Sequence, residues 1–62
     1  MKRVDLVRHV LKHGCTLLRE GSRHTVFVNI STKQITTIPR HKEISNFLAR
    51  KICLDLGINE KI

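Results

Sequence analysis

Four histidines, at positions 9, 13, 24 and 41, are the side chains of this chain best suited to moving protons near neutral pH. An imidazole ordinarily ionises near about pH 6.5, so both of its forms are available and it can take or give a proton. His24 follows Gly21-Ser22-Arg23, a turn whose tight backbone can come close to a phosphate, with a guanidinium beside it. His41 follows Pro39-Arg40 and precedes Lys42, on a connection leaving a strand. One chemistry open to these residues is transfer at an RNA phosphodiester, where the 2′-hydroxyl is a nucleophile already in place. That reaction needs a group to remove the hydroxyl proton, cations to hold charge on the phosphoryl oxygens, and a proton for the departing 5′-oxygen. A positioned acid or base contributes roughly 10²–10⁴-fold. Each residue also has a plainer reading. His24 can be a strand-edge histidine bonded to a carbonyl, His41 a polar residue leading into a helix, and Arg40 and Lys42 solvated charges. His9 and His13 read as structural, a protonated His13 favouring the C-terminal end of the first helix.

Charge favours a polyanionic target. Twelve Lys and Arg stand against five Asp and Glu, a net charge of +7 over 62 residues. Such an excess draws in polyanions and speeds their encounter, with nucleic acid the leading candidate and an acidic protein the next. One domain, 1–62, is all this length allows, and a domain so short buries only about 60% of its unfolded surface. It has a thin core and no room for a deep, enclosed site, so chemistry belongs on an open surface facing a polymer. Cys15 and Cys53 lie far apart with no CxxC pairing, which argues against a zinc knuckle, and one pair is sparse for a disulfide frame. Both read as reduced core residues. The histidines are scattered and the acids few, so no metal and no other cofactor is expected. No apolar run is long enough for a signal peptide or membrane span, and the expected location is cytoplasmic.

Five elements must position these side chains. Val4, Val7, Val10 and Leu11 recur at helical spacing from Lys2 to about His13, and Gly14 follows as a left-handed cap. Lys2, Arg3, Arg8 and Lys12 give this helix a basic outer face, the expected RNA-tracking surface. Cys15 to Glu20 reads as a strand ending at the Gly21-Ser22 turn, His24 to Ile30 as the strongest strand, and Gln34 to Ile38 as a third closed by Pro39. Alternation does not decide whether Val26, Val28 and Ile30 or Thr25 and Phe27 face the helices; His24 shares the valine phase. Arg40 to Ile44 reads as a polar connection. Ser45 suits an N-cap, with Phe47, Leu48, Ile52 and Leu56 as the inner stripe of a second helix that Gly57 ends. Ile58 to Ile62 reads as a frayed tail. The expected fold is α+β, a helix, a three-stranded antiparallel sheet and a helix, with both helices on one sheet face and the other face open.

This order of elements resembles the double-stranded-RNA-binding fold, and several segments resemble the HicA toxin family. Gly21-Ser22-Arg23-His24 is similar to the family's Gly-Ser-x-His at the turn into the second strand. Ile38-Pro39-Arg40-His41, followed by Glu43-Ile44, resembles the segment leaving the third strand. Leu48 to Gly57 resembles the last helix, and His13-Gly14 the end of the first. Many members carry a second His where this chain has Arg23. The resemblance implies the toxin of a toxin–antitoxin pair, an mRNA-cleaving endoribonuclease that needs no metal and uses His24 as its central catalytic residue. Ser22, Arg23, Arg40, His41, Lys42, Arg3, Arg8 and Lys12 would contact RNA.

It further implies a HicB-type antitoxin covering His24, in some complexes as two toxins with two antitoxins, and no membrane partner. Phe27 and Phe47 are the only aromatics, with Phe47 expected in the core, so base stacking is poorly supplied and weak sequence preference is expected. Two other functions fit the same residues. A non-catalytic RNA-binding module would keep its RNA affinity and biological effect when His24 is replaced by alanine. A basic protein that only receives an acidic partner would leave RNA uncut.

Overall fold

The computed structural model of the protein describes residues 1–59. Its elements run α1 (Arg3–Lys12), β1 (Cys15–Glu20), β2 (His24–Asn29), β3 (Ile35–Pro39) and α2 (Asn46–Asp55). The strands form one antiparallel sheet in the order β1-β2-β3, as short loops between consecutive strands require. The α+β arrangement expected from the sequence is the one observed. Strand limits differ from expectation by a residue: β2 stops at Asn29, and β3 runs from Ile35 through Pro39, which takes a terminal position on an edge strand where a missing N–H is tolerated. Both cysteines are free and buried. Among the described residues no helix is long and apolar enough to cross a membrane.

The phase of β2 is settled by its polar residues. Thr25, Phe27 and Asn29 are buried against the helices, while Val26 and Val28 lie half-buried on the open face. A buried threonine and asparagine would be costly if unpaired, and each is fully engaged. Thr25 Oγ1 donates to Ile38 O (2.9 Å) and accepts from Arg3 Nη2 (2.9 Å). Asn29 Nδ2 donates to Leu56 O (2.7 Å), and its Oδ1 accepts from the backbone N–H groups of Ser31 and Thr32. Asn29 thus ties the β2–β3 turn to the end of α2.

The same contacts fix the rotation of α1. Its inward residues are Leu6 and Val10, both fully buried, with Val7 half-buried beside them. Val4 and Leu11, expected in the stripe, are 57% and 51% exposed. Arg3 lies one turn before Leu6 on the inner side, where its guanidinium also donates to Pro39 O (2.9 Å), and this anchorage turns Val4 outward. Behind it, Arg3 N donates to Lys42 O and Ile44 N to Met1 O, which buries Ile44 and makes the 40–44 connection less polar than expected.

Ser45 caps α2 through its hydroxyl, which accepts from Leu48 N (3.2 Å). Ala49, Ile52, Cys53 and Leu56 face the sheet; Phe47 does not, being 75% exposed. The helix-facing spacing runs Ala49, Ile52, Cys53, Leu56, and Phe47 falls off that stripe toward solvent. At the far end Gly57 has φ +73°, its N–H donates to Leu54 O, and Ile58 N donates to Cys53 O. This reversal satisfies the last carbonyls and folds Ile58 into the core. A Cβ at position 57 would meet only the flexible amide of the exposed Gln34, which can swing aside, so the positive φ is what calls for glycine. Ile58 is therefore not part of a frayed tail; Asn59 beyond it is exposed, and residues 60–62 of that expectation lie outside the described ones.

Candidate functional site

The turn between β1 and β2 consists of Gly21, Ser22 and Arg23, drawn tight by Gly21 N donating to His24 O at 2.8 Å. A Cβ on Gly21 would approach that carbonyl to 3.3 Å, closer than most real Cβ contacts, so the close approach favours glycine. His24 opens β2 on the side away from the helices, in phase with Val26 and Val28, and its ring is exposed. Pro39 lies opposite it on β3.

Beside this turn is an open depression of about 610 Å³ lined by Arg19, Glu20, Gly21, Ser22, Arg23, His24, Val26 and Thr37. Arg19 and Thr37 were not anticipated. Both pair with Val26, one from each neighbouring strand, and so form a row across the open face next to His24. Arg19 gets there through an irregularity between Leu17 and Arg19: Leu17 pairs with Phe27 and Arg19 with Val26, leaving Leu18 as an extra residue. A bulge of this kind shifts the side-chain phase of the strand. No sequence signal marked it, because two successive leucines are compatible with either phase.

Charge in the depression is lopsided. Its one carboxylate, Glu20, is held by Arg40 Nη2 at 3.0 Å, and the same guanidinium donates to Gly21 O from Nη2 (3.1 Å) and Nε (3.3 Å). Arg40 also donates its backbone N–H to Arg23 O (3.4 Å). Arg40 therefore braces the turn and neutralises the acid at its rim. Arg19 and Arg23 are exposed and have no ion pair among the described residues, which leaves two guanidinium groups and one imidazole facing the same space.

Of the other sequence candidates, Ser22 and Arg23 stand with His24. His41 and Lys42 are exposed on the connection after β3 and do not line the depression. Arg3 is inside the framework, and Arg8 and Lys12 are exposed on α1 behind the sheet, with Arg8 paired to Asp5 at 3.5 Å. His13 Nδ1 lies 2.9 Å from His9 O, and the two rings are 4.4 Å apart, a contact at the end of α1 remote from the turn. Burial raises the pKa of both Cys15 and Cys53, with repulsion from Cys15 adding to the rise for Cys53, which disfavours the nucleophilic thiolate of each. Among the described residues no three His, Cys, Asp or Glu side chains are grouped to hold a metal ion.

A depression bearing one exposed imidazole, two unpaired guanidiniums and a glycine-tight turn can bind a phosphodiester and move a proton at it. Residues 4–58 match a family model described as the HicA toxin of bacterial toxin–antitoxin systems. Neither the curated proteins nor the solved structures gave a match. The family match spans α1 from its second residue, the whole sheet, the turn that carries His24 and α2; the chain belongs to the HicA toxin family of bacterial toxin–antitoxin pairs.

Proposed function

We propose that this toxin is an endoribonuclease that cleaves mRNA without a metal, with His24 as general acid, general base or both. The observation that carries the reading is the exposure of His24 on the open sheet face, inside a depression whose free charges are cationic. The 2′-oxygen of the substrate attacks the adjacent phosphorus and loses its proton to a base. The 2′-O–P bond forms, the P–O5′ bond breaks, and the 5′-oxygen leaves with a proton from an acid, giving a 2′,3′-cyclic phosphate and a 5′-hydroxyl. Imidazole suits either proton step, and cationic donors stabilise the charge that grows on the non-bridging oxygens. Ser22 and Arg23 at the turn, with His41 and Lys42 on the neighbouring connection, bind the flanking backbone. The open face supplies no aromatic platform, so docking follows backbone shape and charge rather than base identity.

As a toxin of a toxin–antitoxin pair, the protein has an antitoxin partner. In this reading the partner is HicB-like, silences the toxin by covering His24, and brings carboxylates to the depression; two toxins with two antitoxins is a compatible assembly. The test is induced expression of the wild type and His24→Ala in a bacterial host, together with purified protein added to a transcript with and without EDTA. Growth arrest, and RNA cleaved to cyclic-phosphate ends whether or not EDTA is present, are expected for the wild type, with RNA bound but uncut by His24→Ala. Intact transcript with the wild-type protein would refute the nuclease reading. Equal cleavage by both proteins would remove His24 from it, and cleavage abolished by EDTA would remove its metal independence.

A further inference from the structure

We infer that Arg19 is a phosphate-binding residue of the site, holding the non-bridging oxygens of the diester that His24 acts on. The inference deepens the ribonuclease reading and rests on it for the identity of the reacting diester. Three observations carry it.

The first is the bulge. If β1 continued regularly from the Leu17–Phe27 pair, Leu18 would stand opposite Val26 on the open face. Arg19 would then stand opposite Thr25, pointing toward the helices, where Arg3 already occupies the threonine hydroxyl. The extra residue exchanges a leucine for a guanidinium at the open-face position. Bulges are a recognised way of re-aiming one side chain without altering the rest of a sheet.

The second is position. Arg19 pairs with Val26, and His24 is two residues before Val26 on the same face, so Arg19 and His24 are diagonal neighbours across β1 and β2. Such neighbours are separated by about 7–8 Å, within reach of a long side chain. A phosphate set between them meets the imidazole on one side and the planar fork of the guanidinium on the other, a geometry that suits two non-bridging oxygens.

The third is availability. Arg19 is exposed and lines the depression, and its side chain has no hydrogen-bond or ion-pair partner among the described residues. The nearby carboxylate that would otherwise capture it, Glu20, is held by Arg40. Among the described residues no hydrogen bond or ion pair of its side chain ties Arg19 to the fold.

The experiment compares wild type, Arg19→Gln, Arg19→Lys and, as a control of equal charge change on the outer side of α2, Lys51→Gln. Single-turnover cleavage of a short single-stranded RNA is measured at saturating protein. RNA binding is measured against NaCl concentration with each substitution placed in the His24→Ala background, so that the RNA stays intact. Arg19→Gln should slow cleavage by about 10²-fold, the effect of losing one donor to a developing oxyanion, and lower the log–log salt slope by about 0.7. Arg19→Lys should restore the salt slope but only part of the rate, and Lys51→Gln should change neither. Cleavage by Arg19→Gln within threefold of wild type, or a slope loss no larger than that of Lys51→Gln, overturns the assignment. If the wild type cuts no RNA the ribonuclease reading falls, and the salt slope alone still decides whether Arg19 contacts phosphate.

Discussion

Arg40 and Glu20 show how two neighbouring charges can serve a site by cancelling each other. Glu20 is the one acidic residue lining the depression, and unpaired its charge would disfavour the phosphate of the proposed RNA substrate and compete for Arg19 and Arg23. Arg40 holds it at 3.0 Å and bonds Gly21 O as well, so one guanidinium removes a repulsive charge and fixes the turn before His24. The pair is exposed, and exposed pairs contribute little to stability, about 0–1 kcal/mol. Its expected effect is local, on the charge and shape of the turn, and not on the stability of the fold. Arg40→Gln is expected to lower cleavage roughly tenfold, the equivalent of about 1.4 kcal/mol in the barrier, while urea unfolding shifts by less than about 1 kcal/mol. Adding Glu20→Gln to Arg40→Gln should recover most of the lost rate, because the repulsive charge is then gone as well. A double variant as slow as the single one would mean that Arg40 acts through the turn it braces or on RNA directly, and not by cancelling Glu20.

Among the elements, α2 gives the sharpest contrast between what periodicity suggests and what packing selects. Its N-cap Ser45 and its terminating Gly57 are both legible in the sequence, since each answers a local need of the helix backbone. Its apolar stripe is legible only in part: Ile52 and Leu56 are buried as read, whereas Phe47 is solvent-facing and Ala49 takes the inner position. Ile52→Ala should therefore destabilise the fold by about 2–5 kcal/mol, and Phe47→Ser by no more than about 0.5 kcal/mol, as read from urea denaturation. Equal losses would show that Phe47 is packed after all. The rotation of α1 and the phase of β2 escaped sequence reasoning for a shared reason. Val4, Leu6, Val7, Val10 and Leu11 cover more than one face of α1, and β2 alternates valines with phenylalanine, so both patterns admit two solutions. Long-range polar contacts choose between them: Arg3 reaches Thr25 and Pro39, and Asn29 reaches Leu56. None of these partners is close in sequence to the residue it satisfies. The site was legible to the same extent. The turn with Ser22, Arg23 and His24 is a local motif and could be read directly, while Arg19 depends on a one-residue shift in pairing that leaves no mark on the alternation.

For the molecule as a whole, one property should act in opposite directions on folding and on substrate binding. Twelve basic and five acidic side chains on a 62-residue chain give a net charge of +7, and among the described residues only Arg8, Arg40 and Lys51 of the Lys and Arg side chains are in ion pairs. Folding compresses that excess charge into a sheet backed by two short helices, so self-repulsion opposes the compact state. A domain of this size has little stability in reserve, because it buries a smaller share of its surface than a larger one. Salt screens repulsion between exposed charges once their separation exceeds the Debye length, about 10 Å at 0.1 M and about 3 Å at 1 M. Raising NaCl from 50 to 300 mM should therefore raise the melting temperature of the free protein. The same change should weaken RNA binding by a factor of tens or more, because each cation–phosphate contact releases counterions on binding and added salt opposes that release. Sodium chloride is the salt to use, since sulfate and phosphate also strengthen apolar burial and would raise the melting temperature for another reason. Calorimetry of the free protein and fluorescence titration of the His24→Ala protein with RNA, across the same salt series, should give trends of opposite sign. An antitoxin that brings carboxylates to the basic face would relieve the repulsion in the manner of salt, and the complex should then melt higher than the free toxin while losing most of that salt dependence. A free toxin whose melting temperature falls with added NaCl would show that attractive ion pairs, rather than excess positive charge, dominate its surface.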